Sequence, residues 1–573
     1  MKRAVALANN DVVFVAWSFE EAIPECLGFA VRRTSEQDGK EVLPAWVGFH
    51  GESNPDWNPS DTEKWPVQKY AWRDLTADRG KTYRYEIIPR VGRPGDLSSR
   101  DDLKLVTDFV TLTPSCSEHV DAYFNRGILS TQALAHVLPI DKKGMPSSEA
   151  LLEAIKRPGD PVRAALAGQI IEALRRLPKE AVAEGKRCHG ALYELNDPEL
   201  VEMLKDPEHL ALVLSNAGEG DSTNKEARED LHGADVEVTD RMMSSGHIGH
   251  NKFLVGDGNG DSPPKVLTGS TNWTYTGLCA QANNALVLGS EQLASTYMDF
   301  WKRLKEECPP PPAKAAQGEE FRKTNNEAFH CEIDGAEVTL RLSPNTRLQS
   351  KPKDNPPAPD DMTEAFELIA SAKRGIFFLL FQPGSPSVLD AIGTAEAENP
   401  LLFVRGAATD PEAIENYETT LYHRTGERAQ VAGAAGLDHP FAGLQQELLK
   451  SSPKAHAIIH DKIIVIDPHS SEDCVVITGS HNLGYRASYA NDENLLIIKG
   501  HQPLASSYVT HVMDIYDHYR WRWRSRRWKA EDGQRPATEG GSSGGLSTTD
   551  CWQEKYYRDQ AIAQEREFWL RSS

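Results

Sequence analysis

The sequence has no cysteine pair at metal or redox spacing. Its eight cysteines (26, 116, 188, 279, 308, 331, 474 and 551) include no C-x-x-C, which points away from a disulfide framework and from a zinc site built on thiolates. Long hydrophobic runs are missing too. No stretch approaches the roughly 18 to 20 apolar residues of a membrane span. The opening Met1-Lys2-Arg3-Ala4-Val5-Ala6-Leu7 gives way at once to Asn9-Asn10-Asp11, too short an apolar core for a secretory signal. These absences predict a cytoplasmic protein. Positive charge is in deficit: 84 Asp and Glu against 63 Lys and Arg leave a net charge of -21. A field of that sign disfavours a diffuse grip on polyanions, so contact with phosphate has to come from local groups. The glycines at Gly256, Gly258 and Gly260, and the cluster opening at Gly540, read as turn or linker residues, because neither set leads into a helix as a phosphate loop does.

What is there is a chain of 573 residues, 39% apolar and 26% charged. That is too long for one core and suggests about three to four domains. Residues 1–114 read as all-β. Val12 to Trp17 and Leu27 to Val31 are strand-like, and Trp72 precedes Asp74, a turn at Gly80 and the alternating run Lys81 to Ile88. A tryptophan, a turn and a Tyr-x-Tyr strand resemble a fibronectin type III or immunoglobulin-like β-sandwich. From Ser117 the pattern predicts helix, with Val120, Tyr123, Phe124 and Ile128 at helical spacing, followed by helices from Ser148 and over 160–177. Strands then alternate with helices at the pitch of an α/β sheet: 190–195, helix 198–204, strand 210–214, strand 285–288, helix 291–307. Pro309 to Pro312 open a stiff-then-flexible connector, taken as 309–330. The second stretch, 331–530, repeats the plan with helix 362–373, strands 375–381, 401–404 and 495–498, and helix 504–520. Residues 531–573 read as a Gly/Ser-rich loop and a polar-aromatic tail helix.

One arrangement of polar residues occurs twice. The first copy is His250-Asn251-Lys252, then Asp257, then Gly269-Ser270-Thr271-Asn272; the second is His460-Asp461-Lys462, Asp467, then Gly479-Ser480-His481-Asn482. Each member of the second copy stands 210 positions after its counterpart, and each His-x-Lys heads an apolar run, Phe253-Leu254-Val255 and Ile463-Ile464-Val465-Ile466. The residue types suit attack at a phosphodiester. An imidazole whose far nitrogen is held by an acceptor is a competent nucleophile, and a second imidazole can serve as general acid and base. Lysine ammonium, asparagine amide and serine hydroxyl groups supply donors for the non-bridging oxygens. One copy carries one histidine and one lysine, so two copies facing each other complete the set.

This pattern resembles the signature of the phospholipase D superfamily over roughly residues 180–510. The resemblance implies two α/β halves, 115–308 and 331–530, packed as a pseudo-dimer around one active site, and hence a monomer by internal duplication. It implies that His250 and His460 face each other with Lys252, Lys462, Ser270, Asn272, Ser480 and Asn482 around the phosphate, that Asp257 and Asp467 are structural or support the site from behind, and that no metal or cofactor is needed. Two departures stand out. Eleven residues (258–268 and 468–478) separate the Asp from the Gly in both copies, a longer spacer than usual. The Asn follows the Ser after one residue, a form common among nuclease members. The family also places an acid downstream to hold a histidine's far nitrogen. Glu493 fills that position in the second half, whereas the first half has Asn283. An amide fixes the tautomer but does not stabilise an imidazolium as a carboxylate does. On this basis His250 is expected to be the nucleophile and His460 the general acid.

The activity implied is phosphodiester hydrolysis through a covalent phosphohistidine. A phospholipid head group is the leading substrate, with a metal-independent nuclease, of the kind that serves in defence, as the alternative. A catalytically silent phosphate-binding protein is the third reading, prompted by Asn283. Partners are the phosphodiester itself and a protein bound through the β-sandwich. His247 and Cys279 near the motif lack the three or four ligands a metal needs, and the run from Trp521 to Trp528 suits either base stacking and lipid contact or an ordinary helix end.

Overall fold

A computed structural model describes every residue except 1–2, 36–38, 53, 55–57, 126–147, 258–263, 347–356, 385, 410–418, 424–427, 432–457, 531–544 and 571–573. The chain divides into two compact units, one of residues 1–114, 423–427 and 509–573, the other of 115–422 and 428–508.

The first unit is built on two antiparallel sheets. Arg3–Ala8, Val13–Ser18 and Ala71–Asp74 form one. The other centres on the long strands Cys26–Ser35 and Thr82–Arg93, flanked by Gly39–Val42, Asp96–Ser99, Leu105–Val106 and Val110–Thr111. Alternation along these strands sends Val13, Val15, Trp17, Phe29, Val31, Tyr83, Tyr85 and Ile87 into one shared core. Trp17, fully buried, sits in that core, while Trp72, singled out by the sequence pattern, packs at its border. The C-terminal segment is part of the same core: Trp552 and Tyr556 are buried in it, and the Trp552 indole donates to the Cys26 carbonyl at 2.9 Å. The tail helices are short, Glu554–Arg558 and Gln560–Phe568.

The second unit holds two mixed sheets of matching order. In the first, Val120–Phe124, Asn284–Gly289, Lys265–Gly269, Lys252–Gly256, Cys188–Leu192, Leu210–Asn216 and Glu237–Met242 lie side by side. In the second, the equivalents are Ala336–Ser343, Glu493–Lys499, Val475–Gly479, Lys462–Ile466, Gly375–Phe381 and Phe403–Thr409, with Phe329–Ile333 at one edge and Thr419–His423 and Arg428–Val431 at the other. In each, the strand after the His-x-Lys runs antiparallel to the strand that precedes it in space, and that strand is parallel to the next. Apart from the lysine that opens two of them, the central strands are apolar, as strands covered on both faces are. Each half has its own core, one under Leu166, Leu174, Leu212 and Leu254, the other under Met362, Ile376, Phe378 and Ile464.

Three expectations change here. Val120–Phe124 is a strand and not a helix, because it pairs residue for residue with Asn284–Gly289. The stretch 160–177 is two helices, Pro161–Ala167 and Ile170–Glu184, parted at Gly168, whose φ is 56°. The connector contains helix Glu319–Asn326, and Gln317, buried, donates to Asp492. The Trp521–Trp528 run falls in helix Gln502–Ala530, but its side chains lie outside the described residues, as do Gly258, Gly260 and the Gly540 cluster.

Candidate active site

Each His-x-Lys begins at the mouth of a central strand, so that the histidine precedes the sheet and the lysine is its first residue. Both histidines are 3% exposed, and their ring centroids stand 6.4 Å apart. Each lysine folds back onto its own histidine: Lys252 Nζ donates to the His250 carbonyl at 2.8 Å and Lys462 Nζ to the His460 carbonyl at 2.6 Å. An aromatic ring at the end of the neighbouring strand backs each pair. Tyr193 lies 4.9 Å from the His250 ring with Lys252 Nζ 5.1 Å over it. Phe381 lies 4.7 Å from the His460 ring with Lys462 Nζ 4.9 Å over it. Leu192 pairs with Lys252 and Leu380 with Lys462, so the two rings hold equivalent positions.

The far nitrogen of each histidine faces a side chain of the opposite half. His250 Nδ1 is 3.3 Å from Glu493 Oε1, and His460 Nδ1 is 2.9 Å from Asn283 Oδ1. The second half's acid thus serves the first half's histidine, and the first half's amide serves the second's. Glu493, fully buried, also accepts from Asn491 Nδ2 at 2.7 Å. Asn283 is locked by its surroundings. Its Nδ2 donates to the Gly277 carbonyl at 2.9 Å, its backbone N–H donates to Asn125 Oδ1 at 2.9 Å, and its Oδ1 also accepts the Ser270 hydroxyl at 2.8 Å.

The Gly-Ser pair closes each seam. Ser270 and Ser480 both accept from the backbone N–H of the Asn fourteen residues on, Asn284 and Asn494, at 3.0 Å. Those two asparagines cross between the halves: Asn284 Nδ2 donates to Thr478 Oγ1 at 2.9 Å and to the Tyr508 hydroxyl at 2.8 Å, while Thr268 Oγ1 and the Tyr297 hydroxyl donate to Asn494 Oδ1 at 2.8 and 3.1 Å. Gly269 and Gly479 have φ of 143° and 133°, and a Cβ on either would meet the carbonyl of Asn284 or Asn494 at 2.4 Å. The glycine is therefore required by the close approach of two strands.

Asn272 and Asn482 stand at the same place in each half, and the Oδ1 of each has no hydrogen-bond partner among the described residues. Asn272 Nδ2 donates to Glu194 at 2.7 Å. Asp467 is built into the backbone, accepting from the N–H groups of Lys373, Arg374 and Gly375 at 2.8 Å each, with its own φ at 46°. Asp257, its counterpart, is exposed just past its strand. Sequence reasoning missed Glu194 and two buried ion pairs. Arg241 is bidentate on Asp492 at 2.8 and 3.1 Å, next to Glu493. His481 Nε2 is 3.4 Å from Asp361, and its Nδ1 accepts from the Leu483 N–H at 3.0 Å.

Charge follows burial. Desolvation, helped by Lys252, pushes the His250 imidazole down to about 4 against the opposing pull of Glu493. Burial, with Lys462, Lys252 and His250 adding to it, holds His460 well below its ordinary value. Burial brings Lys252 down to about 7, and burial with the neighbouring Lys252 lowers Lys462 strongly. Burial alone would raise Glu493, but His250 and its other cationic neighbours draw it below the usual carboxylate range. The pocket is a desolvated cluster of basic groups whose protonated forms a bound anion would favour. Among the described residues no group of His, Cys, Asp and Glu is arranged to hold a metal ion, and no helix is long and apolar enough to cross a membrane.

Residues 367–515, which include His460, Lys462 and Glu493, match the family model described as "Cardiolipin synthase, PLD-like domain", so this part of the chain carries a phospholipase D-like domain. No curated protein matches the sequence. Among solved structures, the chain is similar to phosphatidylserine synthase from Haemophilus influenzae Rd KW20 at 16% identity over 61% of this chain and 84% of that one, TM-score 0.39. It is similar to polyphosphate kinase from Porphyromonas gingivalis at 11% identity over 58% and 42%, TM-score 0.33. It is also similar to Nuc of Salmonella typhimurium, a phospholipase D family member, at 19% identity over 24% and 88%, TM-score 0.20. The chain thus spans under half the length of the polyphosphate kinase.

Proposed function

We propose that the second unit is a phosphodiesterase of the phospholipase D superfamily, its two halves acting as a pseudo-dimer around one active site. The observation that carries this reading is the pair of buried histidines 6.4 Å apart, each facing at Nδ1 a side chain of the opposite half, Glu493 for His250 and Asn283 for His460. His250, neutral at pH 7 and backed by the Glu493 carboxylate, presents Nε2 as nucleophile to phosphorus. Glu493 then stabilises the charge that the imidazole acquires as the N–P bond forms. His460 is the group that exchanges the proton. Lys252, Lys462, Asn272 and Asn482 bind the non-bridging oxygens, and the phosphate's negative charge restores the protonated state of the two lysines. Ser270 and Ser480 hold the strands behind them in register.

The substrate reading is a phospholipid head group, supported by the lipid enzyme named in the matched family description. The short Gly-Ser-x-Asn spacing in both copies supports nucleic acid as a second reading. One assay separates them. With EDTA present, the protein meets phosphatidylcholine and phosphatidylglycerol vesicles and, separately, labelled DNA and RNA, with His250→Asn as control. Head-group release lost in the variant is the expected result. Strand cleavage lost in the variant makes the enzyme a nuclease, and turnover of every substrate by His250→Asn overturns the phosphohistidine.

A further inference from the structure

The two histidines are fixed to the opposite half in different ways, and the difference gives the connector between the halves a part in the site. At the His460 end the clamp is backbone. Gln281–Ala282, which leads into Asn283, pairs in parallel with Ile458–Ile459, which leads into His460, and the His460 N–H donates to the Ala282 carbonyl at 3.0 Å. The repeat at 210 positions makes Asn491 and Asp492, before Glu493, the counterparts of Gln281 and Ala282, and Ile248 and Gly249, before His250, those of Ile458 and Ile459. Those counterparts form no paired strands among the described residues. One backbone bond joins them, from the Asp492 N–H to the Ile248 carbonyl at 3.0 Å. A paired ladder at one end is thus matched by a single bond at the end that carries His250 and Glu493.

A side chain from neither segment makes up the difference. Gln317, in the connector and 4% exposed, donates from Nε2 to Asp492 Oδ1 at 2.9 Å and to the Ala490 carbonyl at 3.2 Å. Two acceptors on its nitrogen turn its oxygen toward His247, whose Nδ1 is 2.6 Å away and donates to it. One buried amide therefore bridges the residues before Glu493 and the residues before His250. Its own backbone is pinned for the purpose. Gln317 has a left-handed φ of 47°, uncommon for a residue with a side chain and kept where the surroundings over-determine it. Arg322 donates to the Gln317 carbonyl at 2.9 Å and to the Tyr489 carbonyl at 2.6 Å. The Gly318 N–H donates to Glu307, which also accepts from Arg241, the partner of Asp492, and the Ala315 N–H donates to the Met242 carbonyl, each at 2.8 Å.

Resting on the reading of His250 as nucleophile and Glu493 as its partner, we propose that Gln317 is a positioning residue, the connector's clamp that keeps Glu493 facing His250 Nδ1. It touches neither side chain and acts through Asp492 and His247. The separation it guards is 3.3 Å, at the edge of hydrogen-bond reach, and a further shift of about half an ångström carries the pair out of it.

The test is a double-mutant cycle in the full-length protein, with bis-p-nitrophenyl phosphate as substrate and EDTA present. Gln317→Met keeps the length of the side chain and removes its polar atoms. It is expected to lower kcat by about 10- to 100-fold, as the loss of an orienting partner does, with KM little changed. On the Glu493→Gln background the same substitution is expected to cost less than about threefold, because two residues that act through one contact are not additive. A general loss of stability would lower both backgrounds by the same factor. Amide exchange gives a readout that needs no turnover. In Gln317→Met the Asp492 amide is expected to exchange at least about tenfold faster, while the His460 amide, at the end with the ladder, keeps its rate. Gln317→Glu keeps the acceptor for His247 but sets a second carboxylate against Asp492, and is expected to lose at least as much; it replaces Gln317→Met throughout if the latter is not folded by circular dichroism. A kcat within twofold of wild type, equal factors on the two backgrounds, or an Asp492 amide exchanging no faster than in wild type overturns the proposal. Turnover surviving in His250→Asn, or none in the wild type, instead overturns the phosphohistidine reading, and the exchange comparison still decides whether Gln317 joins the two segments.

Discussion

At the scale of the residue, the site is governed by two protonation states that burial imposes. Glu493 is the only carboxylate set against His250 Nδ1 in the described site. Glu493→Gln keeps the shape but leaves the imidazolium-like transition state without its counter-charge. A drop of about 10²-fold in kcat on bis-p-nitrophenyl phosphate is expected, with KM little changed; an unchanged kcat would remove Glu493 from the mechanism. Burial also makes His250 a pH gauge of stability. Its folded value of about 4 lies below the ordinary 6.5. Between those values the unfolded chain holds a proton that the folded one does not, so stability rises with pH through that window and levels off above it. His460 acts in the same direction. On acidification from 6.5 to 4, His250 alone removes on the order of 3 kcal/mol. Urea unfolding of His250→Asn across this range is expected to show a slope shallower by up to one proton. Equal slopes in the two proteins would place the acid sensitivity elsewhere.

At the scale of the element, the sequence announced the strands more clearly than their contacts. The apolar runs after Lys252 and Lys462 are strands because nothing polar interrupts them, and the repeat at 210 positions marked their equivalence. Val120–Phe124 misled because Val120, Tyr123 and Phe124 also fit helical spacing; five residues are too few for periodicity to decide, and pairing with Asn284–Gly289 decides instead. The crossed holding of His250 by Glu493 and of His460 by Asn283 was not legible, since a single sequence does not say which half an acid faces. Asp467, expected to be structural or to support the site from behind, lies in a turn, where it caps three consecutive N–H groups that open the strand Gly375–Phe381. Its left-handed φ of 46° is one that Asp and Asn tolerate. Asp467→Ala leaves those donors unpaired in a half-buried turn, and a loss of about 2 to 4 kcal/mol by urea denaturation is expected. Asp467→Asn, able to accept at least one of the bonds and to keep the φ, is expected to lose less than half as much. Equal losses would mean that the charge and not the cap is what matters.

At the scale of the whole molecule, the chain's ends belong to one unit, and the reason is a core that the N-terminal residues do not complete. Trp552 and Tyr556 lie among Phe29, Tyr70 and Tyr85. The Trp552 ring meets Phe29 edge-on at 5.8 Å, and Tyr556 meets Tyr70 at 4.9 Å. Gln553 exchanges two hydrogen bonds with the Ile23 backbone at 3.0 and 2.9 Å, and Arg566, buried, donates to the Phe19 carbonyl at 2.7 Å. None of this was readable from a polar-aromatic tail, because the partners lie more than 450 positions away and no local period encodes them. Removing one of the tail's two buried indoles tests the point. Trp552→Ala is expected to cost about 3 to 5 kcal/mol, a large fraction of a domain's typical 5 to 15. Because the candidate catalytic residues all lie in the other unit, calorimetry should show the loss in one transition while turnover per folded molecule at 25 °C is retained. A tail that merely rests on the surface would leave both transitions where they are, and a common downward shift would mean that the two units melt as one.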